Sequence, residues 1–433
     1  MLKLIFKNLW NRRGKYAWLF IELVTITIIS WFILDDAIIS TADANLPLGY
    51  DADRMALISV RSYPEGANNY NQAESDSAKK ADNFKSLLAK VRSYPEVENL
   101  TYGYGWDHMN SGSLNISSYP GLVKPDSTPA HAIQLQFIAN TNFFEAYGFT
   151  EIEGYPSLSE LSKSTGGHKK IIITKDFADI CFPGENAMGK EFVQVFGSDT
   201  VRNEIIGVVG NARYQSFNRT NVMAFYGREQ ENSDEYEIAV RLRQGVDPDD
   251  FCRDFSQWAM ENLKTGNYYF QTAQPFSQII SGEEYDRGIS SKRQGQWLLA
   301  AFFLINLILG VVGSFYLQTQ RRVEEMGIHR SYGALKRQIR AMLIGEASVL
   351  TILAFIVGDL IFLQIALRNG LSEGYSNNGM FALIDNWTSS FWPHFAVVSA
   401  IIFVLILLCV ITGVYFPARN VSNINPIDAL RDE

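Results

Sequence analysis

Residues 297–317 read WLLAAFFLINLILGVVGSFYL and carry no charge. A helix needs about 20 apolar residues to cross the hydrocarbon core of a bilayer. This stretch therefore places the chain in a membrane. Three other stretches pass the same test. Residues 16–34 are interrupted only by Glu22 and a few hydroxyls, 341–367 carry Glu346 and Asp359, and 395–416 are again uncharged. The expected architecture is four transmembrane helices, with everything between the first and second spans forming a separate domain.

Basic residues orient the spans, because loops that stay in the cytoplasm are enriched in Lys and Arg. Lys3, Lys7, Arg12, Arg13 and Lys15 precede the first span without an acid. Arg321, Arg322, Arg330, Lys336, Arg337 and Arg340 lie between the second and third spans, whereas Arg368 is the only basic residue between the third and fourth. Residues 1–15, 318–340 and 417–433 are thus expected in the cytoplasm. Residues 43–293 and the short loop 368–394 are expected outside, in the periplasm if the membrane is a cell inner membrane. A cleaved leader is the alternative for the first span, since Ala42-Asp43-Ala44 resembles a small-residue cleavage site. Its apolar run is longer than a leader's, so a retained span is expected.

The charge is unevenly divided. The net charge is −8, yet 43–293 hold 24 basic against 34 acidic residues and the remainder 14 against 12. An acidic outer block lacks the clustered Lys and Arg that phosphate contacts require, which argues against nucleic acid. Within the block, 55–60 (MALISV), 171–174 (IIIT) and 204–209 (EIIGVV) read as strands. Residues 83–91 and 251–263 have helical apolar spacing. Residues 66–80 read as a polar loop, and 277–296 as a polar helix prolonging the second span outward. The class is membrane α-helical with an inserted α+β extracytoplasmic domain.

No catalytic constellation emerges. Residues 184–191 (GENAMGKE) imitate a phosphate-cradling loop, but Glu191 stands where a hydroxyl should hold magnesium. The string reads as a turn. There is no HExxH and no GxSxG. The histidines (His108, His131, His168, His329, His394) are scattered, so no metal site is expected. Cys181, Cys252 and Cys409 make neither a disulfide framework nor a Cys-based zinc site. Whether Cys181 and Cys252 pair is open; free thiols are the default.

Residues 321–339 (RRVEEMGIHRSYGALKRQI) resemble the R-x-x-E-I-G-I-R-R-A-L-G-A loop of FtsX-like permeases, matching it at Arg322, Glu325, Gly327, Ile328, Arg330, Gly333 and Ala334. The chain's end resembles their terminal P-A…P-x-x-A-L-R at Pro417, Ala418, Pro426, Ala429, Leu430 and Arg431. Residues 171–210 resemble the MacB-type periplasmic core domain, in which the G-x-x-x-x-G-K turn is a landmark without a phosphate. His329, Ser331 and Tyr332 depart from the usual loop. The resemblance implies an ABC-type permease with no ATPase site or directly bound cofactor of its own, ATP being used by a separate cytosolic subunit. It also implies a homodimer or a heterodimer with a paralogous permease, sometimes joined by a periplasmic adaptor and an outer-membrane channel. The function implied is export of a drug, peptide or lipid-linked cargo. The alternative is mechanotransmission to a cell-wall hydrolase or sensor.

The loop residues make physical sense beside that resemblance. A short helix with mixed Arg and Glu can pair with a cytosolic partner, and Gly327 and Gly333 allow tight turns or close backbone approach. The plainer reading is a set of positive-inside anchors. Glu22, Glu346 and Asp359 are costly within a bilayer and should face protein or water rather than lipid. Basic residues at the span ends, such as Arg340 or Lys15, are candidate partners for Glu22 and Glu346.

Overall fold

The computed structural model describes Arg13 to Asn423, apart from Trp106 and residues 112–114, 124–128, 197–198, 321, 373 and 375–383. Expectations placed on Lys3, Lys7, Arg12, Arg321, Pro426, Ala429, Leu430 and Arg431 lie outside the described residues. The chain forms two compact units, one of residues 1–43, 291–374 and 385–433, the other of 44–290 and 375–384.

In chain order the helices are α1 (Arg13–Ala44), α2 (Ser77–Arg92), α3 (Phe143–Tyr147), α4 (Leu158–Leu161), α5 (Lys175–Cys181), α6 (Pro248–Asn262), α7 (Phe276–Asp286), α8 (Ile289–Gln320), α9 (Val323–Ser331), α10 (Lys336–Asn369) and α11 (Phe391–Asn423). The strands are β1 (Met55–Ser62), β2 (Val97–Gly103), β3 (Asn115–Val123), β4 (Pro129–Ile138), β5 (Lys170–Thr174), β6 (Glu191–Phe196), β7 (Asp199–Val209), β8 (Met223–Arg228), β9 (Glu235–Leu242), β10 (Lys264–Thr265) and β11 (Tyr268–Pro275).

In the first unit, α1, α8, α10 and α11 are long and apolar enough to cross a membrane. Lipid is as apolar as leucine, so such helices associate through close packing and hydrogen bonds rather than through exclusion of water. Gly358 of α10 illustrates the closeness: a Cβ there would sit 2.8 Å from Thr27 Cβ on α1. Trp31 of α1 is fully buried between the rings of Phe362 and Phe395, at centroid distances of 4.4 and 4.9 Å. Leu298, Phe302, Ile305 and Leu309 of α8 are exposed, as a lipid-facing row should be.

The helices extend beyond the apolar runs. The first apolar run ends at Leu34, before two aspartates, yet α1 continues to Ala44 because those aspartates find partners. Asp35 Oδ1 receives His394 Nε2 at 2.7 Å, its Oδ2 accepts from Ser372 N at 3.0 Å, and Asp36 Oδ1 accepts from Ser372 Oγ at 2.9 Å. The polar stretch 277–296 is not one helix. It divides into α7 and the start of α8 at Gly288, whose φ of +70° favours glycine. The segment 318–340 is mostly helical, since α9 fills its middle and α10 already begins at Lys336.

The second unit holds two sheets. The five-stranded sheet, in order β10-β11-β1-β9-β2, is antiparallel throughout. Alternation sorts its residues: Ala56, Ile58 and Val60 of β1 face a core with Phe84 and Leu87 of α2 and Phe251 and Phe255 of α6. Helix α2 starts within the expected polar loop, because Asp76 caps it by accepting from Ala78 N at 3.1 Å. Asp247 caps α6 likewise, with Pro248 in the first turn, where its missing N–H costs nothing. The second sheet is mixed, in order β3-β4-β8-β5-β7-β6, with β4/β8 and β5/β7 parallel. The expected strands at 55–60, 171–174 and 204–209 fall in β1, β5 and β7. The stretch between the third and fourth spans is not only a loop: Ile384 N donates to Arg219 O at 2.8 Å, within this unit. Among the described residues none of the three cysteines forms a disulfide, and burial pushes the Cys252 thiol up to about 12.

Candidate functional site

Residues 322–335 join the second and third spans, and their geometry begins with Arg322. It is 7% exposed. Its Nε donates to Glu325 Oε2 at 3.1 Å, its Nη1 to Tyr16 Oη at 3.2 Å, and its Nη2 to Glu346 Oε1 at 3.4 Å; Nη1 also pairs with Glu346 Oε2. Tyr16 Oη donates to Glu346 Oε2 at 3.1 Å. One guanidinium thus ties α9 to both α1 and α10. Its planar fork suits the task, since a carboxylate can be held at two points. This corrects two expectations. Arg322 is an interior residue and not a partner-facing one, and Arg322, not Arg340, meets Glu346.

The remaining motif residues divide by exposure. Glu325 is half-buried against Arg322, and Gly327 is buried within the helix instead of making a turn. Arg330 Nη1 donates to Ser422 O at 3.2 Å, linking α9 to the end of α11. Gly333 closes α9 with φ of +89°, Gly333 N bonding to Arg330 O at 3.0 Å and Ala334 N to His329 O at 3.1 Å. That bond pair is the Schellman motif, which needs a left-handed residue at the glycine. Ala334 packs against the helix core. Outside lie Ile328, Tyr332 and Leu335, exposed by 47, 88 and 65%. Three large apolar side chains around one helix end, flanked by exposed His329, Lys336 and Arg337, form a surface suited to a protein partner.

Within the spans every acid is met by another helix. Glu22 Oε2 accepts from Ser314 Oγ of α8 at 3.0 Å. Asp359 Oδ1 accepts from Trp31 Nε1 of α1 at 2.9 Å and from Ser399 Oγ of α11 at 2.9 Å. Together with Glu346, each joins a different set of helices. Tyr16, Trp31, Ser314 and the Asp35–His394 pair had escaped notice in the sequence. The adjacent Asp35-Asp36 at the end of an apolar run was the one signal available. At the other end of the chain, Pro417 and Ala418 are buried inside α11 and not in a tail beyond it.

The phosphate-loop imitation joins α5 to β6 as an exposed turn, with positive φ at Gly184 and Gly189. Lys190 pairs with Glu185 and lies 4.3 Å above the Phe182 ring. The lysine is already engaged within its own turn.

Residues 297–426, which contain most of α8 and the whole of α9, α10 and α11, match the family of the FtsX-like permease C-terminal domain. The chain is 30% identical over 199 residues to an uncharacterised ABC transporter permease, MJ1507, of Methanocaldococcus jannaschii, covering 45% of this chain and 46% of that one. It is 23% identical over 299 residues to the uncharacterised ABC transporter permease YknZ of Bacillus subtilis, covering 65% and 68%. It is 24% identical over 277 residues to the macrolide export ATP-binding/permease protein MacB of Haemophilus ducreyi, covering 60% of this chain and 35% of MacB. The chain therefore spans about half of the first relative, two thirds of the second and a third of MacB. The periplasmic region of MacB from Actinobacillus actinomycetemcomitans aligns over 55% of this chain and 94% of its own, with 12% identity and a TM-score of 0.26.

The four helices are long and apolar enough for a multi-pass membrane protein, and the chain carries an FtsX-like permease C-terminal domain. Beyond that domain the chain is similar to ABC transporter permeases, YknZ and MacB among them.

Proposed function

We propose that the chain is the permease subunit of an ABC-type exporter lying in the cell inner membrane, with both termini cytoplasmic and the α+β domain periplasmic. A separate cytosolic ATPase docks on the surface around Ile328, Tyr332 and Leu335. Its ATP-driven movement displaces α9, and Arg322 passes the displacement to α1 and α10 through Tyr16 and Glu346. The chain works as a dimer, and the movement drives export of a drug, peptide or lipid-linked cargo, with an adaptor and outer-membrane channel as further partners. The supporting observation is the burial of Arg322 between three helices beside an exposed apolar helix end. A tie of that kind moves its neighbours when it moves.

Co-expression with an ABC-type ATPase subunit from the same organism tests the reading. Tyr332→Asp combined with Leu335→Asp should abolish co-purification while leaving the chain folded. Arg322→Met combined with Glu346→Met should keep the ATPase bound but lose cargo-dependent turnover. Retained binding in the first variant or full coupling in the second overturns the proposal.

A further inference from the structure

Helix α8 leaves one face open. Leu299, Phe302, Asn306, Leu309, Gly313 and Tyr316 follow one another at alternating intervals of three and four residues, and all six are exposed in the single chain. That spacing is the a and d seam of a coiled coil, with Leu299, Asn306 and Gly313 at a and Phe302, Leu309 and Tyr316 at d. Membrane helices mostly pack at the same shallow crossing angle. Gly313 has nothing within 4 Å of where a Cβ would stand, so a second helix can approach its backbone closely.

Asn306 lies at the middle of the bilayer. Trp297 and Tyr316, exposed by 43 and 45%, stand near the two ends of the uncharged run and belong at the headgroup levels, where such rings concentrate. Asn306 is about 14 Å along the helix from the first and about 15 Å from the second, in a hydrocarbon core about 30 Å thick.

The amide is only half satisfied there. Asn306 Nδ2 donates to Phe302 O at 2.8 Å, one turn back on the same helix, which uses one of its two hydrogens. The second hydrogen and Oδ1 have no partner among the described residues. Exposed threonines of the other spans differ. Thr25 gives its single hydroxyl hydrogen to Ile21 O and Thr412 gives its own to Leu408 O, both at 2.9 Å. An amide has a further donor and an acceptor, and lipid tails offer a partner to neither.

We propose that α8 of a second copy of this chain packs along the seam, with the two Asn306 amides bonded to each other across a two-fold axis. Each donates its second hydrogen to the other's Oδ1. The amide selects its own copy because it presents a donor and an acceptor together. Two copies inserted the same way bring each a position against itself, so Asn306 meets Asn306. The inference rests on the dimer of the proposed function and assigns its interface.

The full chain in a cysteine-free background is oxidised in membranes with copper phenanthroline. Leu299→Cys and Leu309→Cys should cross-link into dimers. Leu360→Cys on α10 and Leu408→Cys on α11, at positions exposed by 59 and 54%, should not. Energy transfer between labelled chains, diluted into liposomes of rising lipid content, then gives the dimer affinity. Asn306→Leu should weaken the dimer by about three- to thirtyfold, the range for a hydrogen bond between membrane helices. It should leave the unfolding of the single chain unchanged, because the side chain is exposed. Asn306→Gln, which keeps the amide, should lose less than Asn306→Leu. Cross-links at Leu360 or Leu408 in place of α8, or wild-type affinity with Asn306→Leu, would overturn the interface and leave the dimer standing. A chain that stays monomeric at every dilution would overturn both.

Discussion

Arg322 and Glu346 form a buried ion pair across 24 residues, between the segment following the second span and the body of the third. Tyr16 from the first span donates to the same carboxylate oxygen. Three separate parts of the chain meet at one guanidinium. Such a pair adds little stability over an apolar pair of the same shape, but it is costly to break from one side.

Removing either partner alone leaves an uncompensated charge in a dry site. Arg322→Met and Glu346→Met should each destabilise the chain by about 3–5 kcal/mol, and the double variant by much less than their sum. Denaturant titration in detergent checks this. Additive losses would mean that the two side chains do not act as a pair.

Gly333 has φ of +89°, and a Cβ added there would meet nothing within 4 Å. The cost of Gly333→Val is therefore backbone strain alone, about 1–2 kcal/mol, while Gly333→Asn should be close to wild type. Thermal unfolding of the two variants should differ accordingly. Equal losses would mean that the left-handed turn is not what the position requires.

The close approach of α1 and α10 at Gly358 admits no side chain, since the nearest obstacles are Thr27 Cβ at 2.8 Å and Val24 O at 3.1 Å. Gly358→Leu should cost about 1–3 kcal/mol through overpacking. Gly313, with nothing within 4 Å of its Cβ position, should tolerate alanine freely. Detergent stability of both variants tests the contrast, and a Gly358→Leu protein as stable as wild type would contradict the packing.

The proposed orientation is checked by labelling single cysteines in a cysteine-free background. Met260→Cys, at an exposed position in the α+β domain, should react with an impermeant maleimide in cells whose outer membrane is permeabilised. Ser331→Cys, on the exposed end of α9, should react only after the inner membrane is opened. The reverse pattern would invert the topology.

The sequence by itself determined the four spans, their separation by an α+β insertion, and the family resemblance of the segment after the second span. These are legible because each rests on local pattern: a run long enough to cross a bilayer, a short β-branched run bounded by turn formers, a motif of fixed spacing. The positions of α2 and α6 were readable for the same reason, although α2 begins earlier because Asp76 supplies a cap. Tertiary structure alone decided which residues of the 322–335 segment face inward. Arg322 and Arg330 look alike in a one-dimensional string, yet Arg322 is buried against Glu346 and Arg330 reaches the carbonyl of Ser422. The partner of Glu346 could not be found from charge spacing, because Arg340 is nearer along the chain than Arg322 and α10 carries it away from the carboxylate. The Asp35–His394 contact joins residues 359 positions apart. A hydrogen bond is settled by the distance between two atoms, and only the packing of the helices sets that distance.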